Sequence, residues 1–204
     1  MLPEFHQYTD ELIEAGRLLY MMGIVPATSG NFSAKLPDDN MLITVSGRNK
    51  GRLERRDIML ADARGNSLDG NKPSAETLLH VQIYNRFRDA RCVMHPHSVN
   101  ATLLSMMADG DVVLRDYEIL KAFPGINTHE CKVTVPVFAN DQDMSRLSTA
   151  VETRMKDSEK VIHGYLIRGH GFYTWGNSVE DALRHVEAFE FLFDCEMRRK
   201  EVIR

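Results

Sequence analysis

A chain of 204 residues is long enough for one folded domain that buries about 70% of its unfolded surface. Its 43% hydrophobic and 26% charged content exclude a disordered or fibrous chain. Against 29 Asp plus Glu, 25 Lys plus Arg leave a net charge of −4 and no basic block to follow a nucleic-acid backbone. Cys92, Cys131 and Cys195 are widely spaced and odd in number, which argues against a disulfide framework and for a reducing compartment. Residues 1–7 show no secretory pattern, and no apolar run approaches the roughly 20 residues that cross a bilayer. A cytoplasmic protein that binds neither membrane nor nucleic acid is expected.

In chain order, Phe5, Tyr8, Leu12, Ala15, Leu19 and Met22 form one apolar helical stripe that ends near Gly23. Residues Phe32 to Leu36 and Met41 to Val45 flank the turn-rich Pro37-Asp38-Asp39-Asn40 and predict a hairpin, with a further strand over Arg55 to Ala63. Pro73-Ser74-Ala75-Glu76 opens a helix to about Phe87, with Ser74 as cap and Glu76 in the first turn. Cys92 to Met94 reads as a buried strand and Ser98 to Met107 as a helix. A helical turn or two follows over Asp116 to Phe123, then an edge strand over Thr134 to Phe138 marked by Pro136. Asp143 to Met155 reads as helix, and Val161 to Ile167 and Gly171 to Trp175 as strands around Arg168-Gly169-His170. Ser178 caps a last helix with the stripe Val179, Ala182, Leu183, Val186, Phe189 and Phe193. The pattern is mixed α/β in one layered domain over residues 1–204, without repeats or linkers.

His95 and His97 stand two apart across Pro96 at a strand end, which places both rings on one face. Neutral imidazoles converging in this way suit a zinc-like divalent cation, although a cross-strand coincidence produces the same spacing. His170, between two glycines, adds a third, and three histidines leave a position open for substrate or water. His80, four residues after Glu76, is a candidate for lining the same cleft; His6, His129, His163 and His185 read as structural. The small polar segments around Ser29-Gly30-Asn31, Ser46-Gly47 and Ser74 suit an uncharged phosphate cradle of backbone amides and hydroxyls, with Arg48, Lys50 and Arg52 adding charge nearby. Each segment taken alone also reads as a turn or a cap. Glu76 and Glu118 compete for acid–base work.

Taken together, Ala27-Thr28-Ser29-Gly30-Asn31-Phe32-Ser33, Ser46-Gly47, Pro73-Ser74-Ala75-Glu76, His95-Pro96-His97 and Arg168-Gly169-His170-Gly171 resemble the class II aldolase family over essentially the whole chain. Ala75 to His80, Tyr117 to Phe123, Asn140 to Asp143 and Gly164 to Gly176 resemble its dehydratase branch in methionine salvage. The resemblance implies a three-layer α/β/α fold around a mainly antiparallel sheet, and a homotetramer with sites near subunit interfaces. It also implies one zinc ion per subunit on His95, His97 and His170, and phosphate binding by Ser29, Gly30, Asn31, Ser46, Gly47 and Ser74. The implied activity is loss of water from a small phosphorylated ketose bearing a methylthio group, with Phe123 or Tyr173 as candidates for sensing that group. Glu118 matches the acid–base glutamate of the dehydratases. Glu76 matches that of the sugar-phosphate aldolases, at a position that is cysteine in eukaryotic dehydratases. Aldol cleavage is the alternative chemistry on the same metal, and a metal-free interaction module the alternative class.

Overall fold

The computed structural model describes residues 3–156 and 161–202. Helix α1 (Pro3–Met21) leads into strands β1 (Asn31–Lys35), β2 (Met41–Thr44) and β3 (Ile58–Ala61). Helix α2 (Thr77–Arg86), strand β4 (Cys92–His95) and helix α3 (Val99–Met107) follow. Then come β5 (Val112–Arg115), β6 (Lys132–Val135), β7 (Val137–Phe138), α4 (Met144–Lys156), β8 (Gly164–Ile167), β9 (Gly171–Gly176) and α5 (Val179–Val202). Seven strands form one sheet in the order β3-β2-β1-β4-β9-β8-β7, antiparallel throughout except for the β7–β8 pair, and β5 and β6 make a separate hairpin ribbon.

The pleat sorts the core onto two faces. Leu42, Cys92, Met94, Leu166 and Phe172 point toward α1, α3 and α5, whereas Ile43, Val93, Tyr165, Tyr173 and Trp175 point toward α2 and α4. Helices on both faces make three layers, α/β/α, with a mainly antiparallel sheet at the centre. Because both faces are buried, β8 and β9 read as near-continuous apolar runs instead of alternating ones. Among the described residues no helix is long and apolar enough to cross a membrane, and all three cysteines are free.

Several elements depart from expectation. Arg55–Asp57 is a 3-10 turn closed by a capping box between Glu54 and Asp57, so the strand there is confined to Ile58–Ala61. Helix α2 starts at Thr77, placing Glu76 at its N-cap instead of inside its first turn. Ser74 accepts from the Glu76 amide in the preceding turn. The expected strand over Thr134 to Phe138 splits at Pro136, which has no N–H for a ladder. Its first half pairs with β5, an unanticipated strand, and its second half forms the parallel edge of the main sheet. Met22 falls past the end of α1 and is 42% exposed, so it leaves the stripe. Ser98 and Ser178 cap α3 and α5, accepting from the amides of Ala101 and Asp181 at 3.0 Å each.

Phe189 sits at the centre of the α5 face, fully buried between Phe123, Phe172 and Phe193. Its replacement by alanine is expected to cost about 3–5 kcal/mol. Urea unfolding should then show a lower midpoint at an unchanged slope; an unchanged midpoint would contradict this packing.

Candidate functional site

The site forms where β4 ends, beside the start of α2. The rule that alternate residues share a face puts His95 on the same side as Val93, toward α2. There its ring stacks on Tyr173, with centroids 4.0 Å apart and planes 10° from parallel, and Tyr173 stacks in turn on Tyr165. His95 Nδ1 donates to the Phe172 carbonyl at 2.8 Å, which leaves the lone pair on Nε2. His97 is fastened by its amide to the Ile24 carbonyl, and its Nε2 lies 2.8 Å from that of His95.

His170 arrives from the turn between β8 and β9. Arg168 anchors this turn by donating to the carbonyls of Ser105 and Ala108 at the end of α3, and the Gly169 amide donates to Ser105 Oγ at 2.9 Å. Two glycines admit the close approaches. A Cβ on Gly30, whose φ is +75°, would lie 2.6 Å from the His95 carbonyl oxygen. One on Gly171 would overlap the Pro96 carbonyl and crowd the rings of His95 and His97.

Glu76 completes the group. Its Oε1 lies 3.5 Å from His95 Nε2 and 3.2 Å from His170 Nε2, and one ligand atom from each of Glu76, His95, His97 and His170 falls within 4.8 Å of the others. Burial raises the Glu76 carboxyl, but His95 and His170 more than offset it and hold it well below the usual range. Burial, then the neighbouring imidazoles, push His97 down to about 3; burial and His95 likewise lower His170. An ionised carboxylate beside neutral imidazoles is the protonation state a divalent cation requires. Two imidazole nitrogens facing each other at 2.8 Å, one with its partner nitrogen already donating, fit a shared cation. The other nitrogen of His170, Nδ1, is buried without a protein partner. These residues therefore fit a metal ion with nitrogen and oxygen preference.

Next to them opens a cleft of about 250 Å³ lined by Ser29, Gly30, Asn31, Ser46, Gly47 and Ser74 together with Glu76 and His97. Ser29 Oγ has no protein partner, so it is available to an anion. Asn31 is different: its side-chain amide is engaged by Glu76 and His80, which takes that side chain away from the anion role expected of it. Lys50 is buried and donates from Nζ to the carbonyls of Thr28 and Arg48, bracing two of the cleft's loops. Burial pushes it down to about 8, with Glu76 holding it up. Arg48 instead pairs with Asp57 at 3.1 Å.

Glu118 does not join this cluster. It stands on an exposed 3-10 turn, Glu118–Ala122, with Lys121 and His129 as its partners. His80 does not line the cleft either; it is fully buried behind Asn31. Phe123 and Tyr173 are buried as well, Phe123 against His163 and Phe189 and Tyr173 under His95, so neither is free to meet a methylthio group. Sequence reading missed the parts played by Arg168 and Asn31 in holding the site, although both lie inside motifs that stood out.

If the cluster holds a divalent cation, Gly171→Ala should weaken the binding of added zinc by about 10–100-fold, the range seen when support behind a ligand is lost. Competition against a chromogenic chelator measures this, and an unchanged affinity would show that the rings do not depend on that approach.

The model of the Class II Aldolase and Adducin N-terminal domain matches residues 10–197. A protein of Methylococcus capsulatus named methylthioribulose-1-phosphate dehydratase is 59% identical, with 98% of each chain covered. One of the same name from Azotobacter vinelandii is 53% identical, again over 98% of each. Among solved structures, the L-fuculose-1-phosphate aldolase of Thermus thermophilus superposes with a TM-score of 0.75 at 24% identity, covering 96% of both chains, a likeness of fold. Motifs, architecture and near-complete coverage agree, and the chain belongs to the class II aldolase and adducin family.

Proposed function

We propose that this chain is a hydro-lyase that converts 5-methylthioribulose 1-phosphate into 2,3-diketo-5-methylthiopentyl 1-phosphate in methionine salvage, acting as a cytoplasmic homotetramer. The names and near-full coverage of its relatives support the dehydratase reading. The observation that carries it chemically is the Glu76 carboxylate, which borders three metal-competent imidazoles and the anion cleft at once.

His95, His97 and His170 would hold a zinc ion, which when bound would supply Lewis-acid stabilisation of negative charge developing on the ketose oxygens. The protein does the rest. The hydroxyls of Ser29, Ser46 and Ser74, with the glycine turns at Gly30 and Gly47, hold the phosphate and so fix the sugar chain over Glu76. Asn31 contributes through the carboxylate it orients. A carboxylate takes the proton from the carbon beside the carbonyl, leaving an enediolate. The hydroxyl on the next carbon departs as water with a proton from an acid, and the resulting enol tautomerises to the diketone.

Two carboxylates share this proton traffic. Glu76 acts from within the chain, through Oε1. Glu118, solvent-facing in a single chain, reaches the centre of a neighbouring subunit. Positioned proton transfer is worth about 10²–10⁴-fold, so Glu76→Gln and Glu118→Gln should each lose that much turnover. Mixing inactive Glu118→Gln and His97→Ala subunits should restore part of the activity, because some sites then combine an intact metal centre with an intact neighbouring Glu118. No recovery from a verified mixed tetramer would remove Glu118 from that role. The reading as a whole is tested by offering zinc-loaded protein 5-methylthioribulose 1-phosphate and fuculose 1-phosphate side by side. Diketone formation that chelation abolishes and zinc restores is expected; aldol cleavage without dehydration would overturn the dehydratase assignment.

A further inference from the structure

The proposed chemistry uses Glu76 but leaves unexplained a row of buried polar side chains behind it. Asn31 Nδ2 lies 2.5 Å from Glu76 Oε2, and Asn31 Oδ1 meets His80 Nε2. His80 Nδ1 lies 2.7 Å from Ser33 Oγ, which lies 2.7 Å from the Tyr84 hydroxyl. Ser33 and His80 are wholly buried, and Asn31 and Tyr84 are 4% and 5% exposed, so water cannot substitute for any partner along the row.

The direction of every bond follows from one end. An ionised carboxylate only accepts, so Asn31 must turn its NH2 to Glu76 and its carbonyl to His80. That carbonyl also only accepts, so His80 carries its proton on Nε2. Its Nδ1 is then a bare acceptor, which takes the single hydrogen of the Ser33 hydroxyl. Ser33 Oγ is left to accept from Tyr84. Each of the four bonds in the row thus has one assigned direction. Burial, with His95 adding to it, pushes the His80 imidazole down to about 3, so it stays neutral.

We propose that His80 is a positioning residue. Through the one-directional row Tyr84–Ser33–His80–Asn31 it locks Glu76 Oε2 in place, so that Oε1 alone faces His95, His170 and the cleft. The inference rests on Glu76 acting at this centre, and it extends that reading to Asn31 on the cleft wall and to three side chains buried behind it. A row of this kind resists both rotation of the carboxylate and a flip of the Asn31 amide. Turning the carboxylate away would strand the Asn31 NH2, and flipping the amide would set acceptor against acceptor at Glu76 and donor against donor at His80 in a dry interior, where an unmatched polar group is costly.

The test has a spectroscopic and a kinetic arm. In protein labelled with nitrogen-15 histidine, with and without zinc, the His80 ring should show Nε2 protonated and Nδ1 bare across the pH range of the folded state. A ring protonated on Nδ1, or on both nitrogens, would overturn the proposal. His80→Leu removes the donor to Asn31, whereas His80→Gln retains an N–H near the same point. Leucine should lower kcat by about 10–100-fold, the scale of a misplaced catalytic group, with KM little changed, and glutamine should recover most of the loss. Equal impairment in both variants, or an effect on KM alone, would assign His80 a merely structural part. Ser33→Ala, which deletes one oxygen, covers the case in which leucine prevents folding. It should mix the two His80 tautomers and lower kcat several-fold; an unmixed tautomer with full turnover would contradict the row. The nitrogen spectra need no substrate, so inactivity toward the ketose phosphate with the Nε2–H form present would count against the dehydration reading and not against the row.

Discussion

A carboxylate held in a mostly buried pocket between imidazoles is the constraint on which this molecule turns. Left alone, an ionised Glu76 would be costly to bury, on the order of several kcal/mol. It is tolerated because Asn31 donates to one oxygen while the other looks onto His95 and His170. Burial, with His95 adding to it, holds the His97 and His170 imidazoles down against the opposite pull of the Glu76 carboxylate. A carboxylate held below its usual range beside two imidazoles also held below theirs leaves lone pairs free for a cation.

The fold delivers those donors from three separated stretches of chain. His95 is the last residue of a central strand and His97 lies just beyond it; His170 belongs to the turn between β8 and β9, and Glu76 stands at the N-cap position of α2 with its side chain turned to the cluster. What converts nearness into convergence is a set of modest fixings. Gly30 lets the cleft loop press against the His95 carbonyl, Gly171 lets β9 pass beneath both rings, and Arg168 ties the His170 turn to the end of α3. Stacking of Tyr173 and Tyr165 under His95 makes the floor aromatic and stiff. The cleft lined by the small polar segments shares Glu76 and His97 with the histidine cluster, which puts polar hydroxyls and amides directly beside the carboxylate.

Much of this was legible in the sequence, for physical reasons. The spacing of His95, Pro96 and His97 determines which way the rings face once a strand ends there, and the glycines around His170 announce a sharp turn. Serine and glycine in three short segments mark a cradle without charge, and all three line one cleft. Other features were hidden because they depend on partners far along the chain. Asn31 looks like an anion ligand until His80, 49 residues away, claims its carbonyl. The i to i+4 spacing of Glu76 and His80 suggests a shared cleft, yet the helix begins only at Thr77 and its first turn sends His80 inward. The strand Val112–Arg115 pairs only with Lys132–Val135, so nothing local marked it. Glu118 carries a family pattern, while within its own chain it faces solvent with Lys121 and His129 as its partners.

The central requirement is that His95, His97 and His170 hold one metal ion beside the Glu76 carboxylate. Crystals of the zinc-loaded protein, with anomalous data on either side of the zinc edge, test that directly. One peak per chain among the Nε2 atoms of His95, His97 and His170, with Glu76 Oε2 still on Asn31, is the predicted result. Zinc bound elsewhere, or Glu76 swung off Asn31 with His80 left unpaired, would contradict it.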